Sequence, residues 1–128
     1  MIRILPRILA PPLVLLLGCR AEVPTGPQDP AFQERVLQSD EPVLVDFYAT
    51  WCAPCRMMNP IVEQLEAEYA GRAGVYKVDI DQYPGTAAKY DVGNIPAFLV
   101  FDDGEVVDRV VGGTDKADLA ARLEAAID

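Results

Sequence analysis

The order of secondary-structure signals along this chain is α-β-α-β-α-β-β-α, which predicts an α/β fold with a central mixed sheet and helices on both of its faces. Three observations carry the prediction. Val43-Leu44-Val45-Asp46-Phe47-Tyr48 is a nearly continuous apolar run of strand length, the pattern of a central strand covered on both sides. The segments around it repeat apolar residues at helical spacing. Near the end, Asp102-Asp103-Gly104 separates two strand-like runs, so the second must return antiparallel to the first.

Each element follows from local signals. Asp29-Pro30 supplies an N-cap and a proline in the first turn, and Phe32, Val36 and Leu37 share a face, so a short helix is expected as far as Ser39. After the central strand, Met58, Ile61, Val62, Leu65 and Tyr69 recur at spacings of three and four, from Pro54 to near Gly71. Pro60 falls inside that helix and is expected to kink it. Residues 75–80 read as a second strand and 83–90 as a short helix. Ala97-Phe98-Leu99-Val100-Phe101 is the third strand, and Glu105–Val111 the fourth. Asp115 or Thr114 caps a final helix that buries Leu119, Leu123, Ala126 and Ile127.

Composition narrows the chemistry. With 128 residues, 51% apolar and 24% charged, the chain is one globular domain and not a disordered or fibrous one. It contains three Cys and no His, which removes Cys-His and Ser-His-Asp nucleophiles and every His metal ligand. Eleven basic against twenty acidic residues give a net charge of −9, the wrong sign for a nucleic-acid binder.

The first eighteen residues carry Arg3 and Arg7, no acid, and a mostly apolar run over 8–17 that holds Pro11 and Pro12. This is the layout of a signal peptide, and the run is about half the length of a spanning helix. Leu16-Leu17-Gly18-Cys19 resembles the lipobox of bacterial lipoproteins. That resemblance implies cleavage after residue 18 and acylation of Cys19, which would anchor the mature chain in a membrane. An ordinary secretory signal that contains a cysteine is the other reading. Loss of the leader leaves nine basic against twenty acidic residues, a net charge of −11, so attachment would rest on lipid and not on a basic patch. Residues 19–30 then form a lipidated cysteine and a proline-rich tether, with the domain proper at 31–128. The implied location is the cell envelope, extracytoplasmic and facing the periplasm. Arg20 after the cysteine favours the outer membrane if the source is Gram-negative.

Trp51-Cys52-Ala53-Pro54-Cys55 falls where the central strand ends and the long helix begins. A C-x-x-C in the first turn of a helix sets the first thiol beside free backbone N–H groups and the positive end of the helix dipole, which lowers its pKa. Cys52 is therefore the attacking thiolate. Cys55, one turn on and on the same face, can resolve a mixed disulfide. Pro54 stiffens the turn without losing a helix bond.

From about Phe32 onward the chain resembles the thioredoxin family. The resemblance rests on residues 45–55 around the two cysteines, on Asp79-Ile80-Asp81, on Gly93-Asn94-Ile95-Pro96-Ala97 and on Val111-Gly112-Gly113. It implies a thioredoxin-like fold and a thiol–disulfide oxidoreductase needing no cofactor and no metal. Asp46 matches a buried carboxylate that assists proton transfer at the second cysteine, and Lys77 matches the lysine near it. An acid inside an apolar strand is costly to ionise, which suits a general base near neutral pH; an edge position facing water is the alternative. Pro96 matches a cis-proline facing the disulfide, where the Ile95 backbone pairs with an extended substrate; an ordinary trans proline is the other reading. Trp51, Ala53, Pro54 and Gly112 complete the implied substrate surface, although Trp51 could also be a plain core aromatic. Ala53 and Ala97 stand where the family commonly has Gly and Thr. The usual first strand has no match, because the proline-rich stretch occupies its place.

The implied partners are protein thiols and disulfides as substrates and a membrane thiol reductase or oxidase that recharges the pair, with a monomer as the working form and nucleic acid excluded. Two other readings stay open. One is a binding or adaptor module whose disulfide is structural, which would resist reduction and tolerate loss of both cysteines. The other is carriage of Cu(I) on two thiolates, which a titration would reveal as a tight site.

Overall fold

A computed structural model of the chain describes Gly18 and residues 25–127. The expected signal segment apart from Gly18, the acylation candidate Cys19 and the first part of the tether, 20–24, lie outside the described residues.

An opening turn at Gln33–Leu37 leads into β1 (Val43–Tyr48), α1 (Ala53–Tyr69), β2 (Gly74–Asp79), α2 (Pro84–Lys89), β3 (Ala97–Asp102), β4 (Glu105–Val111) and α3 (Lys116–Ile127). The sheet order is β2-β1-β3-β4. β1 pairs parallel with β2 and antiparallel with β3, and β3 pairs antiparallel with β4, so β3 alone runs against the others. This is the α/β sandwich expected from the alternation of elements.

β1 divides the core. Val43, Val45 and Phe47 pack with Phe32, Val36, Leu99 and Phe101 on one side. Leu44 packs with Met58, Val62, Leu65, Phe98, Leu119 and Leu123 on the other, under α1 and α3. Strand alternation puts Asp46 on this second side. α1 stays a continuous helix through Pro60.

The β3–β4 hairpin shows why Asp102-Asp103-Gly104 was legible. Asp102 pairs with Glu105, and the two residues between them have positive φ, 49° at Asp103 and 79° at Gly104, as a two-residue primed turn requires. A Cβ on Gly104 would also lie 2.9 Å from the Leu37 carbonyl oxygen, so the hairpin tip packs against the backbone of the opening turn. At α3 the choice between two caps resolves: Asp115 Oδ1 accepts from the Asp118 N–H at 2.8 Å, while Thr114 donates to the Asp118 carboxylate.

The first helix departs from expectation. Instead of running to Ser39 it is a single π-helical turn, closed by the Gln38 N–H on the Gln33 carbonyl at 2.9 Å. Ser39 Oγ donates to the Glu41 carbonyl at 2.8 Å and accepts from the Glu41 N–H, local bonds that compete with another helical turn. Among the described residues no strand precedes β1, and β2 forms one edge of the sheet, with β4 at the other. The end of the proline-rich stretch is docked. The Pro27 carbonyl accepts from Gly85 N–H at 3.0 Å, the Asp29 N–H donates to Thr86 Oγ1 at 2.8 Å, and the Tyr76 hydroxyl donates to Asp29 Oδ2 at 2.7 Å.

Candidate active site

The site forms where β1 and β2 end on the same side of the sheet. Cys52 is the N-cap of α1, and its Sγ accepts from the Cys55 N–H at 3.3 Å. A sulfur bonded to a helix-terminal N–H is stabilised as thiolate once the pair is reduced. Cys52 and Cys55 are joined by a disulfide with Cα atoms 5.3 Å apart, within the normal range for such a bridge. Both are buried, at 4% and 2% exposure, against Ala49, Tyr48, Ile80 and Ile95.

The residues expected to contact substrate gather round this pair. Trp51 is 66% exposed, which sets aside a core role, and its Nε1 donates to Asp81 Oδ2 at 2.8 Å. Ala53 and Pro54 form the exposed first turn of α1. The Ile95–Pro96 peptide is cis, with Pro96 buried and Ile95 against the cysteines. Gly112 follows β4 and donates its N–H to the Pro96 carbonyl at 2.8 Å, tying the two loops together. Beside Pro54 an apolar hollow of about 540 Å³ is lined by Met57, Met58, Ile61 and Gly113. Cys19 lies outside the described residues.

Asp46 is 1% exposed, and neither carboxylate oxygen has a hydrogen-bond partner among the described residues. Burial pushes its pKa up from 3.8 to about 6, opposed in part by the charge of Lys77. That removes the edge-position alternative. Lys77 is its direct neighbour across the β1–β2 pairing, yet the Lys77 ammonium bonds Asn59 Oδ1 at 2.9 Å and sits 4.5 Å from the centre of the Tyr48 ring. Tyr48, Cys55, Arg56 and Asn59 line a pocket of about 220 Å³ on this side of the pair. A buried carboxyl that changes charge near neutral pH, on the strand that leads into the Cys52–Cys55 turn, can take and return a single proton.

Three residues around the site were not assigned roles from the sequence. Asp81 holds the Trp51 indole, and Asn59 and Tyr48 hold Lys77. Asn59 had one readable signal: it is four residues after Cys55, a polar side chain on a helix whose neighbours at 58, 61, 62 and 65 are apolar.

The sequence model described as Thioredoxin matches residues 24–125. Thioredoxin C-2 of Corynebacterium nephridii is 49% identical over 96 residues, covering 75% of this chain and 89% of that protein. A thioredoxin of Synechocystis is 46% identical over the same length, covering 75% and 90%. A thioredoxin of Staphylococcus aureus is 53% identical over 81 residues, covering 63% of this chain and 78% of its own.

Proposed function

The chain belongs to the thioredoxin family and is a thiol–disulfide oxidoreductase, and from that premise we propose that it works as a membrane-anchored, extracytoplasmic reductase of protein disulfides. The observation that carries the chemistry is the Cys52–Cys55 disulfide at the capped start of α1, with a buried carboxyl on the strand that leads into it. The anchor is supported by Leu16-Leu17-Gly18-Cys19 and the leader before it.

In the reduced enzyme the Cys52 thiolate attacks one sulfur of a substrate disulfide. The substrate S–S bond breaks, its other sulfur leaves as a thiolate that picks up a proton from solvent, and Cys52 is left in a mixed disulfide. The Cys55 thiol then passes its proton to the Asp46 carboxylate. Cys55 attacks Cys52 Sγ, the mixed disulfide breaks, and the second substrate sulfur departs as a thiolate that is protonated from solvent, while Asp46 gives its proton back to solvent. Two electrons have moved to the substrate, and the enzyme is left with its internal disulfide. A membrane thiol reductase would restore the dithiol, since an oxidising exterior would otherwise trap the pair as a disulfide. Trp51 and Pro54 flank Cys52 along the chain and Ile95 packs against it, offering an extended polypeptide an apolar surface and the Ile95 backbone as a partner, while Pro96 and Gly112 are tied to each other beside it.

The test uses a Cys55→Ser variant in its native membrane, where the first step proceeds and the second cannot. Accumulated mixed disulfides between Cys52 and envelope proteins, lost in Cys52→Ser, are the expected result. Absence of such adducts, or a Cys52→Ser variant that reduces a test disulfide as fast as wild type, would overturn the redox reading. Fatty-acid labelling that persists after Cys19→Ala would overturn the anchor alone.

A further inference from the structure

We propose that Asn59 is a positioning residue: by taking the Lys77 ammonium as its own hydrogen-bond partner, it holds that cation out of ion-pair contact with Asp46. The inference rests on the reading of Asp46 as the proton acceptor for Cys55, but its test does not pass through activity.

Asp46 and Lys77 are neighbours across a parallel strand pair, and strand alternation points both side chains to the α1 side of the sheet. A buried carboxylate with both oxygens unpartnered and a lysine on the adjacent strand are the components of an ion pair, yet none joins them among the described residues. The ammonium instead lies 2.9 Å from Asn59 Oδ1 and 4.5 Å from the centre of the Tyr48 ring. Two independent contacts therefore set its place. The aromatic face supports the cation from one side, and the amide oxygen draws it toward α1. Entering contact with Asp46 would also strip water from the ammonium, a cost that the bond to Asn59 avoids.

The groups facing Asp46 are few. Lys77 acts on it from β2 and Tyr48 from β1 itself; Asp79 acts on Tyr48 from the end of β2, and Cys55 and Asn59 belong to α1, the helix over that face of the sheet. Arg56 lines the pocket beside Tyr48, Cys55 and Asn59, but its Nη1 is bonded to the Thr50 carbonyl at 2.8 Å. From β3 the pairing residue is Phe98, which carries no charge. Among the described residues Lys77 is thus the cation placed to neutralise the carboxylate, and Asn59 decides how near it comes. A direct pair would hold Asp46 ionised to low pH and make it a weak base. At one remove, the same lysine tempers the effect of burial without cancelling it.

The experiment is a carboxyl carbon-13 titration of Asp46 in the oxidised protein, for wild type, Asn59→Ala, Asn59→Gln, Lys77→Met and the Asn59→Ala/Lys77→Met double variant. Releasing Lys77 is expected to move the Asp46 midpoint down by about one pH unit in Asn59→Ala. Asn59→Gln, which keeps an amide oxygen, should restore most of it. Lys77→Met should raise the midpoint, and adding Asn59→Ala to it should change nothing further. A midpoint in Asn59→Ala that stays in place or rises would overturn the proposal, and so would an equal shift with Lys77 absent. Retention of this pattern in a protein without reductase activity would separate the positioning claim from the functional one.

Discussion

Asp46 is the residue at which stability and chemistry pull in opposite directions. A carboxyl whose pKa rises to about 6 in the fold, against 3.8 outside it, is favoured there in its protonated form. That preference is fully available below the unfolded value and is lost as pH rises through the folded one. The gap corresponds to about 3 kcal/mol. An Asp46→Ala variant should therefore gain on wild type by up to about 3 kcal/mol between about pH 4 and pH 8 in urea denaturation, although its resolving step becomes slower. A stability difference independent of pH would show that the carboxyl is not buried as described. The sequence disclosed this residue because one acid interrupts an apolar strand. It did not disclose Asn59, because the Asn59–Lys77 contact joins residues eighteen apart on a helix and a strand whose relative rotation only the packed core sets.

At the scale of elements, legibility followed the strength of local chemistry. β1 and the β3–β4 turn were readable because an apolar run and an Asp-Asp-Gly triplet admit few other conformations. The opening helix was misjudged because its capping and apolar signals were met over one turn only, while Ser39 turned the backbone away. The docking of residues 27–29 was hidden for a related reason: proline-rich composition speaks of extended backbone, not of the Thr86 and Tyr76 side chains that receive it. The hairpin tip yields a prediction in which two terms separate. Gly71 and Gly104 both have positive φ, 86° and 79°, but a Cβ at Gly71 meets nothing within 4 Å whereas one at Gly104 meets the Leu37 carbonyl oxygen at 2.9 Å. Gly71→Ala should cost about 1 kcal/mol from backbone strain alone, and Gly104→Ala about 2 to 3 kcal/mol, measured by denaturant unfolding. Equal losses would mean that the hairpin tip does not press on the opening turn.

Over the whole molecule, twenty acidic residues against eleven basic ones set the field that an approaching substrate meets. Near the disulfide that field is little relieved. Asp79 and Asp81 stand beside Trp51, and Asp115 borders the apolar hollow by Pro54. Of the nearby cations Lys116 is offset by Glu68, while Lys77 on the Asn59 amide and Arg56 on the Thr50 carbonyl keep their charge, which leaves three acids against two bases. Substrate choice should thus depend on charge before any side chain is recognised, with cationic disulfides approaching faster than anionic ones. Two small disulfides of opposite charge, cystamine and dithiodipropionate, isolate the effect, since neither is large enough to fill the surface around Cys52. Their intrinsic reactivities differ, so the informative quantity is how the ratio of second-order rates changes with salt. At about 0.01 M ionic strength the Debye length of ~30 Å spans the domain, and at about 1 M, ~3 Å leaves only contact interactions. The ratio should favour cystamine by about tenfold more at the low end than at the high end. A ratio unchanged by salt would mean that the acidic surface is screened or turned away from the cysteines, and one that moves toward the dianion as salt is removed would mean that Arg56 and Lys77, despite their partners, govern the approach.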